Sequence, residues 1–208
     1  MRTEILPVSA IDSLTRALAV LKEGGLVAFP TDTVYGVGAL AFDGTAIESI
    51  YAAKDRPVEK AIPLLIGEVK ELEKVAVEIP EVARRLAYRF WPGPLTILVP
   101  KRADLPEAIS ATATVGVRVP DHKSARALLQ AAGPMAVTSA NISGEESPVT
   151  AEQVHQQLGG RIPLIIDGGR TPGGVPSTLV DCTDPDLKIL RKGPIGFAEL
   201  LSALQDDL

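Results

Sequence analysis

The chain has 208 residues, 46% of them hydrophobic, enough to bury one substantial core, and its formal charge of −5 with only 4% aromatics lacks the basic balance and stacking residues of an obvious nucleic-acid binder. One cysteine, Cys182, rules out an internal disulfide, a Cys-x-x-Cys redox pair and a cysteine-built zinc site, and two histidines, His122 and His155, leave little material for a histidine-rich metal centre or a proton shuttle. No run of eighteen apolar residues occurs, and Met1-Arg2-Thr3-Glu4-Ile5 lacks the basic region and apolar stretch of a secretion signal, so a cytoplasmic location without membrane insertion is expected.

Short β-branched runs alternate with helical patterns, the signature of an α/β domain, expected as one unit over residues 1–208. A strand at residues 5–8 is followed by Ile11, Leu14, Leu18 and Leu21 at helical spacing until Gly24-Gly25 ends the helix, and residues 26–29 read as a buried strand. A strand at 37–41 leads to Thr45-Ala46-Ile47-Glu48, a capping-box pattern opening a helix to about Ala53, and 64–66 is the next strand. Pro80 is placed at the first helical position, with Val82, Leu86 and Phe90 on one face, before Trp91-Pro92-Gly93-Pro94 breaks the helix and 95–99 returns to strand.

Residues 115–119 are a strand, Ala125, Leu128, Leu129 and Ala132 form a helical stripe stopped by Gly133-Pro134, and 135–138 is again a strand. A second capping box is expected at Thr150 to Gln153, followed by strands at 164–166, 178–180 and 187–190 and a last helix from about Phe197. The seventeen prolines and eighteen glycines gather between elements, giving shaped loops.

Gly36-x-Gly38-x-x-Ala41 matches the dinucleotide-binding string but runs into a strand rather than opening a helix, and the glycine-rich loop at Gly168 lacks the Gly-Lys-Ser/Thr of a P-loop. Lys54-Asp55-Arg56-Pro57 lies where a helix ends; its cations either complement the helix terminus or, with Lys60, offer donors to phosphate. Thr138-Ser139-Ala140-Asn141 follows a strand, where hydroxyl and amide groups either shape a turn or face a ligand at the strand's carboxyl end. Arg118 sits inside an apolar strand and needs a partner, either a structural carboxylate or a substrate's carboxylate; Arg191 closes another strand with the same two readings.

Together Pro30-Thr31-Asp32-Thr33-Val34-Tyr35-Gly36, Lys54-x-Arg56-Pro57, Gly116-Val117-Arg118-Val119-Pro120, Thr138-Ser139-Ala140-Asn141 and Ser177-Thr178-Leu179-Val180-Asp181 resemble the YrdC/Sua5 family, the threonylcarbamoyl-AMP synthases, from about Leu6 to Gly193. The resemblance implies a twisted, mixed, open β-sheet with flanking helices and a concave, positively lined cleft. It also implies a nucleotidyltransferase that converts L-threonine, bicarbonate and ATP to threonylcarbamoyl-AMP and pyrophosphate, the first step toward t6A in tRNA. Carried over by position, it puts Thr33, Arg118, Ser139 and Ser177 around threonine and Lys54, Arg56, Lys60, Thr114, Asn141 and Arg191 around ATP.

Lys54 and Arg56 are the residues expected to act on the phosphates in catalysis, Mg²⁺ is expected to accompany ATP without a protein-built metal site, and downstream threonylcarbamoyl-transfer proteins, with a contact to tRNA, are the partners implied. The short, single-domain bacterial type fits best: longer relatives carry a second C-terminal domain, and some have a histidine shortly after Lys-x-Arg, where this chain reads Ile62-Pro63-Leu64-Leu65-Ile66. An RNA-binding module and a related carbamoyl-adenylate-forming domain are the alternative functions.

Overall fold

The computed structural model describes residues 1–184 and 186–205; the last three residues of the expected 1–208 unit lie outside them. Ten strands form one sheet in the order β1-β8-β2-β3-β7-β4-β6-β5-β9-β10, where β1 is Glu4–Pro7, β2 Val27–Pro30, β3 Tyr35–Leu40, β4 Leu64–Leu65, β5 Leu95–Pro100, β6 Thr114–Arg118, β7 Met135–Ser139, β8 Leu164–Asp167, β9 Thr178–Asp181 and β10 Lys188–Arg191. The sheet is mixed and open: β8 runs parallel to β1 and β2, β4 to β6 and β5 to β9, while β3 pairs antiparallel with β2 and β7. Every residue of β2 is buried, the continuous apolar pattern of a strand covered on both faces.

Among the described residues six helices flank it: α1 Ser13–Lys22, α2 Gly44–Lys54, α3 Glu81–Phe90, α4 Lys123–Ala132, α5 Ala151–Leu158 and α6 Phe197–Gln205. Successive side chains of a strand point to opposite faces, and the core divides accordingly. Ala28, Val37, Val115 and Val117 join side chains of α2, α3, α5 and α6 in one cluster, whereas Val27, Phe29, Leu65 and Val137 join those of α1 and α4 in another. Four helices therefore serve one face and two the other, and the part of that second face made by β4, β6, β5 and β9 is open to a cavity.

Helix boundaries differ from the sequence reading in detail. Asp43, not Thr45, caps α2, its carboxylate accepting from the Ala46 N–H at 2.9 Å, because the chain enters the helix two residues earlier than a Thr45 box needs. Pro80 is the cap residue rather than the first helical one, and α3 buries Ala83, Leu86 and Ala87, leaving Val82 and Phe90 half-buried. Thr150 caps α5 as expected, accepting from Gln153 N at 3.3 Å, but Gln153 Oε1 accepts from Val149 N, one residue before the box partner. Two short 3-10 helices, Val69–Lys74 and Glu107–Ile109, add to the elements expected from the sequence.

Gly36 and Gly38 lie inside β3 rather than opening a helix, and a Cβ on either would come within 2.7 Å of a Val137 methyl, so they allow close strand packing. Cys182 is buried, and burial pushes its thiol up to about 12. Among the described residues no helix is long and apolar enough to cross a membrane.

Candidate active site

The open part of the sheet forms the floor of a cavity of about 490 Å³. Period-two alternation decides most of what faces it: Thr96 and Leu98 of β5, Thr114, Gly116 and Arg118 of β6, Val137 and Ser139 of β7 and Leu179 of β9 line the cavity, while Ile97, Val117 and Val180 between them enter the core; Val115 and Thr138 depart from the alternation and also line the cavity. An arginine in an apolar strand is thereby accounted for, since its side of the strand is the cavity side.

Arg118 is 5% exposed and held at three points. Its Nε donates to Gly93 O at 2.9 Å, Nη1 to Thr33 Oγ1 at 3.2 Å and Nη2 to the carboxylate of Asp32. Thr33 is itself fixed by the loop after β2: its N–H donates to Thr31 Oγ1 at 3.2 Å, and the Thr31 hydroxyl donates to Val34 O at 2.7 Å. The structural-pair reading of Arg118 is met by Asp32, and the side chain also lines the cavity.

Across the floor Arg191 closes β10 and donates through Nε and Nη2 to the carbonyl and hydroxyl of Ser177, each at 3.0 Å, while Ser177 Oγ meets Thr96 Oγ1 at 2.7 Å. Burial lowers the pKa of Arg191, and repulsion from Arg118 and Arg56 lowers it further. Arg56 follows Asp55, whose left-handed backbone (φ 49) turns the chain out of α2, and its Nε and Nη2 donate to the carbonyls of Lys60 and Ala61 at 3.1 and 2.9 Å. Burial lowers its pKa as well. Three guanidinium groups thus share one cavity, an arrangement suited to anions.

A ladder of hydroxyls completes the wall. Ser110 and Thr112 approach to 2.9 Å and Thr112 and Thr114 to 3.0 Å, with Lys101 Nζ donating to Ser110 O at 2.8 Å.

Of the residues expected around ligands, Thr33, Arg56, Thr114, Arg118, Ser139, Ser177 and Arg191 line the cavity, and three do not. The expected catalytic pair divides. Lys54 is 1% exposed and lies behind the wall, its ammonium donating to the carbonyls of Ser139 and Asn141 while its own carbonyl accepts from Ser143 N at 2.8 Å. Its placement is that of an anchor for the loop after β7. Burial pushes the Lys54 ammonium down to about 7, with repulsion from Arg56 adding to the shift.

Asn141 is buried beside it, donating to Ile142 O and Glu145 O at 2.8 and 2.9 Å, and its Oδ1 is the one buried side-chain polar atom among the described residues without a partner. Lys60 is exposed and off the wall; only its carbonyl, which takes the Arg56 bond, belongs to the site. Asp32, Thr31, Thr96, Ser110, Thr112 and Ser147 are site residues that the sequence reading missed. Alternation in Ser110-Ala111-Thr112-Ala113-Thr114 is a signal that could have found two of them; Ser147 carries none.

The fold and site define an α/β protein whose half-open sheet face carries three guanidinium groups in one cavity, a lining suited to small anions. A sequence profile described as "Telomere recombination", that of Sua5, YciO and YrdC, matches residues 19–193, and the chain belongs to this family. The threonylcarbamoyl-AMP synthase of Pyrococcus abyssi (strain GE5 / Orsay) is 45% identical over 88% of this chain and 55% of the relative. The putative threonylcarbamoyl-AMP synthase of Mycobacterium tuberculosis (strain ATCC 25618 / H37Rv) is 39% identical over 93% of this chain and 90% of the relative.

The crystal structure of P. abyssi Sua5 complexed with L-threonine superposes with a TM-score of 0.93 at 42% identity, covering 98% of this chain and 61% of that one. The chain thus spans little more than half the length of the P. abyssi relative.

Proposed function

We propose that the protein is an L-threonylcarbamoyladenylate synthase, a nucleotidyltransferase joining L-threonine, bicarbonate and ATP into threonylcarbamoyl-AMP with release of pyrophosphate and water, toward t6A in tRNA. One observation carries the reading: a single cavity holds Arg118 with the hydroxyls of Thr33 and Ser139 and, besides them, Arg56 and the Arg191 that is bonded to Ser177. The first group suits a small hydroxylated amino acid with a carboxylate, the second a polyphosphate. The synthase names of the relatives and the threonine complex of P. abyssi Sua5 support the same assignment.

In this reading threonine's neutral amine takes up the carbon of bicarbonate as a carbamate, whose carboxylate attacks the α-phosphorus of ATP while pyrophosphate departs. The residues act by position and charge: Arg118 and Thr33 orient threonine, the Lys54-anchored loop presents Ser139, and Arg56 and Arg191 offset charge on the leaving pyrophosphate. Little proton transfer by a side chain is required in this reading.

Among the described residues no group of three His, Cys, Asp or Glu could hold a metal ion, so the donor set does not fit a protein-built site and Mg²⁺ would arrive on the nucleotide's phosphates. A cytoplasmic location and hand-over of the adenylate to threonylcarbamoyl-transfer proteins belong to the same proposal.

Purified protein given ATP, Mg²⁺, bicarbonate and L-threonine should release pyrophosphate only when threonine and bicarbonate are both present. Equal release with serine or glycine, or none under any condition, would sink the assignment.

A further inference from the structure

One row of the sheet crosses the cavity from arginine to arginine. Arg191 of β10 is in register with Leu179 of β9, and Leu179 with Thr96 of β5. One step beyond the antiparallel pair Ile97 and Val117, Thr96 comes opposite Arg118 of β6. All four residues line the cavity. Neighbouring strands lie about 4.8 Å apart, so the two arginine backbones are roughly 14 Å apart, with Thr96 and Leu179 between them. The two guanidinium groups feel each other across this row, since repulsion from Arg118 adds to the burial that lowers the pKa of Arg191. Leu179 has no polar side-chain atom, so the hydroxyl of Thr96 is what the row offers a ligand between the two cations.

That hydroxyl is oriented from both sides. A Cβ on Gly116 would come to 3.0 Å from Thr96 Cγ2, so the methyl is turned toward β6 and the hydroxyl toward Ser177, whose Oγ is 2.7 Å away. Ser177 Oγ also accepts from Arg191 Nη2 at 3.0 Å, and among the described residues the two hydroxyls have no other hydrogen-bond partner. A hydroxyl has one proton and two lone pairs. The pair therefore shares one of its two protons internally and keeps the other for a ligand, whichever way the shared bond runs. From Arg191 to Ser177 to Thr96, each hydroxyl accepts one bond and donates the next, and the guanidinium charge polarises the whole chain. In the reverse order Ser177 accepts twice and Thr96 accepts from no protein group. The first order is the cooperative one, and it leaves the free proton on Thr96.

We propose that Thr96 is an oxyanion-binding residue of this cavity, the last donor of the chain that starts at Arg191 and passes through Ser177, giving its proton to a negatively charged oxygen between Arg191 and Arg118. A hydroxyl on a charged oxygen makes a short, strong hydrogen bond, and the two guanidinium groups add attraction from either side. Carboxylate and phosphate share this chemistry. That L-threonine and ATP are the molecules bringing them rests on the function proposed above.

Calorimetry on the full chain with L-threonine and with inorganic tripolyphosphate, each alone, tests it. Thr96→Val keeps the methyl that faces Gly116 and removes the donor, so affinity for one probe or both should fall about tenfold or more. The probe that is lost identifies the oxygen, L-threonine for a carboxylate and tripolyphosphate for a phosphate. Thr96→Ser restores the hydroxyl and should recover affinity to within about threefold of the parent. A loss below about threefold with both probes in Thr96→Val puts the free proton on Ser177 and overturns the inference. Equal losses in Thr96→Ser and Thr96→Val reduce the residue to packing and overturn it too.

Thr96→Ala repeats the comparison if the valine variant does not fold. If the parent binds neither probe and releases no pyrophosphate, the proposed function fails on its own account. Inorganic phosphate is then the probe, with the same limits of about tenfold and about threefold. A parent that binds no oxyanion of the three overturns the inference as well.

Discussion

Lys54 and Arg118 are two cations buried beside the same cavity, 1% and 5% exposed, and each ties together segments more than eighty residues apart. Arg118, on the cavity wall, is answered by the carboxylate of Asp32; Lys54, behind the wall, is answered by neutral carbonyls. A carboxylate offsets the full charge of its partner, whereas carbonyl dipoles only solvate it, so desolvation still weighs on the lysine and brings its pKa down to about 7. Arginine stays protonated at any working pH. The wall thus carries a permanent charge and the loop behind it is anchored by one that titrates.

The largest effect is expected where charge is left uncompensated. Arg118→Ala strands Asp32 with 12% exposure, and equilibrium denaturation should show a loss of about 3–5 kcal/mol along with the loss of threonine binding. A loss of threonine binding without destabilisation would mean that the pair contributes nothing to the fold. Lys54→Met should cost less, about 1–3 kcal/mol, because it orphans the carbonyls of Ser139 and Asn141 but removes a poorly solvated charge. Hydrogen exchange should then quicken at Ser143, whose N–H is bonded to the Lys54 carbonyl; unchanged exchange there would argue against the anchor.

Titration separates the two cations further. Between about pH 7 and the ordinary lysine value of 10.5, unfolded Lys54 holds a proton that the folded form has released, so rising pH favours the folded state across that window. Below about pH 7 both forms are protonated and the penalty is complete. The gain amounts to at most about 5 kcal/mol, reduced because the two carbonyls favour the charged form. Cys182, with a thiol raised from 9.0 to about 12, works the other way above pH 9, so the quantity to follow is the stability of the parent minus that of Lys54→Met. A flat difference would place the lysine's folded pKa near its unfolded one.

The smallest effect sharpens the contrast between wall and surroundings. Arg56→Ala should weaken ATP binding about tenfold or more while leaving threonine affinity within about twofold, because Arg56 lines the cavity. Exposed Lys60→Ala should leave stability within about 0.5 kcal/mol and ATP affinity within about twofold. Calorimetry on the two variants decides it; equal losses would bring Lys60 onto the nucleotide.

Most strands were legible because β-branched runs bounded by glycine and proline carry the period themselves. The cap of α2 was misread because Asp43 and Thr45 are both competent cap residues, and only the entry geometry of the chain selects between them. Asp32 was not singled out, because an acidic residue in a turn looks like any other until its distant partner is in place. Lys54 looked like a helix-end cation free to reach a ligand, and its burial depends on the loop that folds over it from β7.

By itself, then, the sequence determined which side chains share a face. Residues two apart in a strand point the same way, so Thr114, Gly116 and Arg118 had to stand together wherever the strand went. It also limited the side chains at hand, with one cysteine and two histidines in the chain. Only the tertiary structure decided which faces meet. Arg118 finds Asp32 at a separation of 86 residues and Lys54 finds Ser139 at 85, through a strand order that is not the chain order. Local periodicity encodes orientation within one element, whereas the choice of neighbouring strand depends on burying all the apolar faces at once, a collective quantity that no single stretch of residues contains.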